Sequence, residues 1–177
     1  QAMPAEGYDP LFRRMLDHPK IAVMLNTEYR EVRALHPKAR TIYTGPIDEF
    51  FDCRFGRLPY RSLRFESRTV EGPHRQKVAQ VNYPGDAPFT RITEMKHLTG
   101  QNGPCTTLVT EYPETYEPGL NEPYYPIPQD ETRDILQPYL DAAAARPEVV
   151  ICGRLGDYRY YNMDQAVGAA LARFRTL

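Results

Sequence analysis

Apolar residues first recur at helical spacing near the start of the chain. Leu11, Phe12, Met15 and Leu16 share a face between Asp9 and His18, and Pro10 suits a first turn, which predicts an opening helix. Residues 21–25 and 40–44 read as short β segments, and Gly45-Pro46 breaks the chain before a helix through Ile47, Phe50 and Phe51. From Tyr60 the period shortens to two. Four strand-like runs follow, at 61–68, 76–83, 90–98 and 105–112, separated by turns such as Glu71-Gly72-Pro73 and Pro84-Gly85-Asp86. Turns this short favour antiparallel neighbours, because a parallel pair needs a crossover of a dozen or more residues. Residues 113–129 hold five prolines and three tyrosines and read as a rigid, turn-rich pocket wall rather than an element. A helix through Ile135, Leu136, Tyr139 and Leu140 comes next, then a buried-strand pattern at 148–152 and a Gly153-Arg154-Leu155-Gly156 turn. An Ala-rich helix runs from Met163. The fold class is α+β: a central antiparallel sheet with flanking helices, in segments 1–58, 59–128 and 129–177.

Composition narrows this little. A chain of 177 residues is long enough to bury a core of its own, and 41% hydrophobic with 25% charged residues is ordinary for a globular protein. The net charge of −1 gives no electrostatic case for nucleic acid or an acidic membrane surface. No apolar run reaches the roughly 18 residues of a membrane span, and residues 1–7 lack the pattern of a signal peptide, so a cytoplasmic protein is expected. Cys53, Cys105 and Cys152 show no metal spacing and fit reduced thiols; His18, His36, His74 and His97 are scattered, so no metal site is expected. The 17 prolines and 13 tyrosines stand out, since tyrosine joins a flat apolar body to a polar tip suited to sugars and nucleotides.

Strand alternation locates candidate chemistry. Arg61 shares a face with Leu63 and Phe65, Arg91 with Thr93, Met95 and His97, and Glu111 with Val109 and Thr107. A charge on a core face is costly unless paired, so these residues are either buried ion pairs or walls of a polar cleft. Arginine suits a diphosphate, whose oxygens its fork binds bidentately. Near the end of the chain, the aromatic cluster Tyr158-Arg159-Tyr160-Tyr161 precedes Asn162, which with Gln165 reads as a capping box. Amides in that first helical turn would attract an anion or a polarised carbonyl; the plainer reading is a capped helix.

The strings IYTGPIDEFFDCRFGRLPYRSLRFE, PFTRITEMKHL, VTEYP, EPYYPIP and GRLGDYRYYNMDQAVGAAL occur in the order found in bacterial UDP-galactopyranose mutases, and the opening QAMPAEGYDPLFRRML is similar to that family as well. The resemblance covers essentially the whole chain and places it in the C-terminal part of the family. It implies a flavin-dependent isomerase that interconverts UDP-galactopyranose and UDP-galactofuranose through a covalent adduct of galactose with reduced FAD, supplying furanose for cell-surface polysaccharide. It further implies a substrate-binding sheet over 59–128, flanked by parts of a Rossmann-like FAD-binding domain. In that reading Arg91 holds the diphosphate, Tyr125 and Tyr160 hydrogen-bond to it, and Tyr124, Arg61 and Glu111 are further polar members of the substrate cleft. Gly153, Arg154 and Gly156 resemble the turn that packs on the flavin, with Tyr161, Asn162 and Met163 beside its ring system; Asn162 joins Arg91, Tyr125 and Tyr160 as a catalytic candidate.

Two departures bear on activity. No GxGxxG follows a strand and no acidic ribose partner lies downstream of one. The family's mobile loop, with its second diphosphate-binding arginine, and its aromatic uridine platform would precede Gln1, so the isolated polypeptide is expected to lack mutase activity. Asn162 stands where relatives usually carry Asp, and Asp164 where they often carry His. Two other readings remain open: a non-catalytic nucleotide-sugar-binding module, and a divergent flavin amine oxidase-like protein. UDP-galactose or UDP is the expected ligand, and exposed apolar surface would allow a homodimer.

Overall fold

The computed structural model describes residues 3–177; Gln1 and Ala2, part of the segment read for targeting signals, lie outside them. In chain order the elements are α1 (Tyr8–Leu16), α2 (Tyr29–Leu35), β1 (Thr41–Tyr43), α3 (Ile47–Phe50), β2 (Tyr60–Glu71), β3 (Gln80–Asn82) and β4 (Arg91–Glu94). There follow α4 (Met95–Thr99), β5 (Cys105–Thr115), β6 (Tyr125–Pro126), α5 (Asp130–Ala144), β7 (Val149–Ile151), α6 (Gly153–Gly156) and α7 (Met163–Phe174). The chain divides into two compact units, each made from two stretches: 1–35 with 64–113, and 36–63 with 114–177.

The first unit is an antiparallel sheet. β3 pairs with β4 (Gln80↔Thr93, Asn82↔Arg91), β4 pairs with β5 (Arg91↔Glu111, Glu94↔Leu108), and the outer length of β2 lies beside β5. The expected antiparallel sheet is therefore present, although its order is not that of the sequence, since β2 neighbours β5 rather than β3. Among the described residues the buried residues of this unit are polar: Glu94, Lys96 and Thr106.

Several expected elements differ in the structure. Residues 21–25 form no strand; Ile21, Val23, Met24 and Leu25 stay 44–79% exposed, so no burial rewards a ladder there. The run 76–83 narrows to Gln80–Asn82. The run 90–98 is a strand only to Glu94 and then turns into α4, closed by Gly100 at φ +66, whose N–H reaches the Lys96 carbonyl at 3.0 Å. Met95 and His97 thus do not share a strand face with Arg91. The turn also lets Lys96 put its ammonium on the carbonyls of Gly103 and Cys105.

The second unit holds the apolar core: Ile47, Phe51, Leu58, Tyr60, Tyr139, Val149, Ile151 and Tyr158. α5 was expected from its apolar face, and its Tyr139, fully buried, donates to the Gly56 carbonyl at 2.7 Å and accepts the Phe55 N–H at 3.0 Å. At the floor of this core the buried Asp48 carboxylate accepts the Tyr60 hydroxyl at 2.8 Å and the Leu58 N–H at 3.0 Å. β1 and β7 form a parallel pair (Thr41↔Val149, Tyr43↔Ile151).

Residues 113–129 contain more regular structure than their prolines suggest. β5 continues to Thr115, and Tyr125–Pro126 pairs with the start of β2, Pro126 standing opposite Tyr60 in the short β6. This two-residue strand accommodates a residue that has no N–H to donate. The Gly153-Arg154-Leu155-Gly156 turn is a single helical turn entered through Gly153 at φ +89. An ideal Cβ on Gly156 would lie 2.9 Å from Ile151 Cγ2, so only glycine lets this turn lie so close to β7.

Candidate functional site

In the second unit, β6 and the segment 153–163 bring together residues that the sequence assigned to separate ligands. The rings of Tyr125 and Tyr160 stack at 5.5 Å with 28° between planes, and the Arg154 guanidinium lies over both, 4.7 and 5.3 Å from their centroids. Arg154 also donates to the Tyr161 carbonyl. A guanidinium offers five donors in one plane, so a stacked arginine can hold a carbonyl and still present N–H groups to an anion. Tyr124 is half-buried with its ring 6.5 Å from that of Tyr125, and its N–H donates to the Arg61 carbonyl at 2.9 Å. Arg61 pairs in register with Tyr125 and is exposed, so its charge interrupts no buried face.

The neighbouring groups set the electrostatics. Tyr161 donates to Asp157 Oδ2 at 3.1 Å, and burial followed by the Asp157 charge pushes its phenol above the ordinary value. Arg173 caps the other oxygen of Asp157 at 2.8 Å. Asn162 is the exposed N-cap of α7, with its N–H on Gln165 Oε1 at 2.9 Å, and Met163, the first helical residue, is 65% exposed. Two clefts in this unit, of about 440 and 400 Å³, are lined by neither Tyr125, Tyr160 nor Arg154; Tyr160 is exposed and Tyr125 and Arg154 are half-buried.

In the first unit, Arg91 is half-buried on β4 directly opposite Glu111 on β5. Its Nε donates to Asn82 Oδ1 at 3.0 Å, and its Nη1 stands 3.8 Å from Glu111 Oε2. Glu111 also accepts the Thr90 hydroxyl at 2.9 Å. Arg91 and Glu111, two of the three charges read from alternation, are therefore a partly buried ion pair.

A second constellation in this unit was not read from sequence. Glu94 is fully buried, and its carboxylate accepts the backbone N–H of Arg75 and Gln76 and the Thr106 hydroxyl, with His74 Nδ1 at 3.3 Å and His97 Nε2 at 3.6 Å. Burial pushes this carboxyl up, but Thr106, the two amides and His74 outweigh it and hold it down at about 2. The signal was available in TEMKH, because a helical reading of 95–99 puts Glu94 and His97 one turn apart. A strand reading puts them on opposite faces.

The fold is that of an α+β protein carrying an arginine–tyrosine group and an arginine–carboxylate group, and comparison with known proteins gives its family. The family model of UDP-galactopyranose mutase matches residues 1–160. The chain is 36% identical over 174 residues to a probable UDP-galactopyranose mutase of Klebsiella pneumoniae, covering 97% of this chain and 44% of that protein. It is 34% identical over 191 residues to UDP-galactopyranose mutase of Mycoplasma pneumoniae, covering all of this chain and 48% of that protein. It is 31% identical over 178 residues to dTDP-fucopyranose mutase of Escherichia coli, covering 97% of this chain and 47% of that protein. A crystal structure of reduced UDP-galactopyranose mutase superposes with a TM-score of 0.58 at 18% identity, over 77% of this chain and 42% of that one, a likeness of fold. The chain belongs to the UDP-galactopyranose mutase family. It spans a little under half the length of the curated relatives it matches.

Proposed function

We propose that this chain supplies the C-terminal, substrate-holding part of a flavin-dependent isomerase that interconverts UDP-galactopyranose and UDP-galactofuranose in the cytoplasm. The observation that carries the proposal is the Arg154 guanidinium laid over the stacked rings of Tyr125 and Tyr160. It unites a cationic fork with two phenols, the donor set a diphosphate requires. Tyr125 and Tyr160 donate their hydroxyls to the diphosphate, and Tyr124 and Arg61 are polar residues of substrate binding; for the first unit the family resemblance alone proposes Arg91 and Glu111 as substrate-binding residues. For Arg91 to serve, an anion must compete with Glu111 for its guanidinium.

The residues present fit one side of a flavin dinucleotide. Gly156 brings the backbone of α6 so close to Ile151 that a side chain would intrude, Gly153 holds φ +89 beside Thr44, and Arg154 carries the charge that a pyrophosphate needs. Reduced FAD, when bound, supplies the nucleophile for exchange at the anomeric carbon. Gly153, Arg154 and Gly156 would hold the bound flavin at the α6 turn, and Tyr161, Asn162 and Met163 would contribute to its binding. The parallel β1–β7 pair is consistent with a strand pair of a Rossmann-like flavin domain. The related dTDP-fucopyranose mutase makes a deoxythymidine-linked sugar a second ligand to test.

Calorimetric titration of the chain with UDP tests this reading. The expected result is saturable binding that Arg91→Ala and Arg154→Ala each weaken by about 1.5–3 kcal/mol, roughly 10- to 100-fold, the usual value of a hydrogen bond to a charged group. Saturable binding of dTDP alone would move the substrate to the deoxythymidine class; no binding of either nucleotide would overturn the proposal.

A further inference from the structure

Outside the aromatic cluster and the Arg91–Glu111 pair, the most concentrated set of coordinating side chains is His74, Glu94 and His97, whose ligand atoms all lie within 4.8 Å of one another. Two imidazoles stack face to face at 4.2 Å with 21° between their planes, both beside one buried carboxylate. Metal ligands at about 2.1 Å in a tetrahedral shell stand roughly 3.4 Å apart. Here His74 Nδ1 is 3.3 Å from Glu94 Oε1, and His97 Nε2 is 3.6 Å from Glu94 Oε2. The carboxylate–imidazole spacing is thus close to that of a coordination shell, and the two stacked rings must turn to aim their lone pairs at one ion. The donor set matters as much as the spacing. Two imidazole nitrogens and a carboxylate suit a divalent transition cation of intermediate softness and not the all-oxygen shells of calcium or magnesium.

The surroundings are also those of a site held in place before any ion arrives. The Glu94 carboxylate is fixed by the Thr106 hydroxyl at 2.7 Å and the Gln76 N–H at 2.6 Å, with the Arg75 N–H at 3.1 Å from both oxygens. Such partners orient a ligand without neutralising it. The nearby Lys96 turns its ammonium to the Gly103 and Cys105 carbonyls. His97 Nε2 donates to the Gln76 carbonyl at 2.9 Å, so this nitrogen must give up its proton when it binds an ion. The histidine side chains are 46% and 24% exposed, so an ion and a completing water have an open path.

We propose that His74, His97 and Glu94 form a binding site for a divalent transition-metal cation, of which Zn²⁺ and Co²⁺ are the representatives, and that the ion ties the 74–76 segment to the start of α4. The fold gives such a staple a purpose. Among the described residues the buried residues of this unit are polar, and a thin core gains most from a cross-link that binds the folded state alone. Ion binding here does not depend on the proposed nucleotide-sugar chemistry.

The test uses chelator-treated protein titrated with CoCl₂ and followed by its visible ligand-field spectrum, with ZnCl₂ titrated in parallel by calorimetry. The expected result is a one-to-one complex, a rise in Tm on adding Zn²⁺, and at least roughly tenfold weaker binding in both His74→Ala and His97→Ala. His74→Asp, which restores an oxygen donor, recovers part of the affinity. If His97→Ala loses its circular-dichroism spectrum, His74→Ala decides, because that side chain is half exposed. Absence of binding, or binding that neither histidine substitution weakens, overturns the proposal.

Discussion

Glu94 shows how one residue can organise a unit that lacks a large apolar core. Its carboxyl is held at about 2 while an unfolded glutamate titrates near 4.5. Because the folded value is the lower one, the stabilisation is fully present above about 4.5 and is lost as pH falls toward about 2. Chemical-denaturation midpoints measured between those pH values should drop steadily in the native chain. Glu94→Gln should lower the midpoint at neutral pH and flatten its dependence in that window. At the same scale, the sequence made Arg91 and Glu111 visible because strand alternation is a local rule and both lie on regular strands. It hid His74 and His97 as partners, because a loop residue and a helical residue acquire a common neighbour only when the sheet folds. Arg154 was assigned to the flavin by resemblance, and nothing in its local spacing indicated that its guanidinium would lie over Tyr125 and Tyr160.

Among the elements, legibility followed length and burial. α5 and α7 carry repeated apolar positions over three or more turns, and both stand where the pattern placed them. α4 is five residues long, and its alternation with the preceding strand is indistinguishable from a longer strand until the left-handed Gly100 closes it. The parallel partnership of β1 and β7 joins residues more than a hundred positions apart, which no local period encodes. The short turn α6 makes the sharpest stability prediction at this scale. Gly156→Ala would put a methyl group 2.9 Å from Ile151 Cγ2, a side chain in the core. Overpacking of this kind costs about 1–3 kcal/mol, to be read as a lower denaturation midpoint. Gly168→Ala, where an added Cβ meets nothing within 4 Å on the same chain's last helix, should stabilise or leave the midpoint unchanged.

At the scale of the molecule, an α+β chain with an antiparallel sheet and flanking helices was legible from the sequence, and its family from ordered strings of residues. No helix among the described residues is long and apolar enough to cross a membrane. The chain matches 44–48% of the length of its curated relatives. The most direct test incubates this chain with dithionite-reduced FAD and UDP-galactopyranose and resolves the nucleotide sugars by anion-exchange chromatography. The account predicts that the chain binds the nucleotide yet forms no UDP-galactofuranose above a protein-free control. Furanose accumulating in proportion to the chain would contradict it, and would mean that these residues alone assemble the catalytic centre.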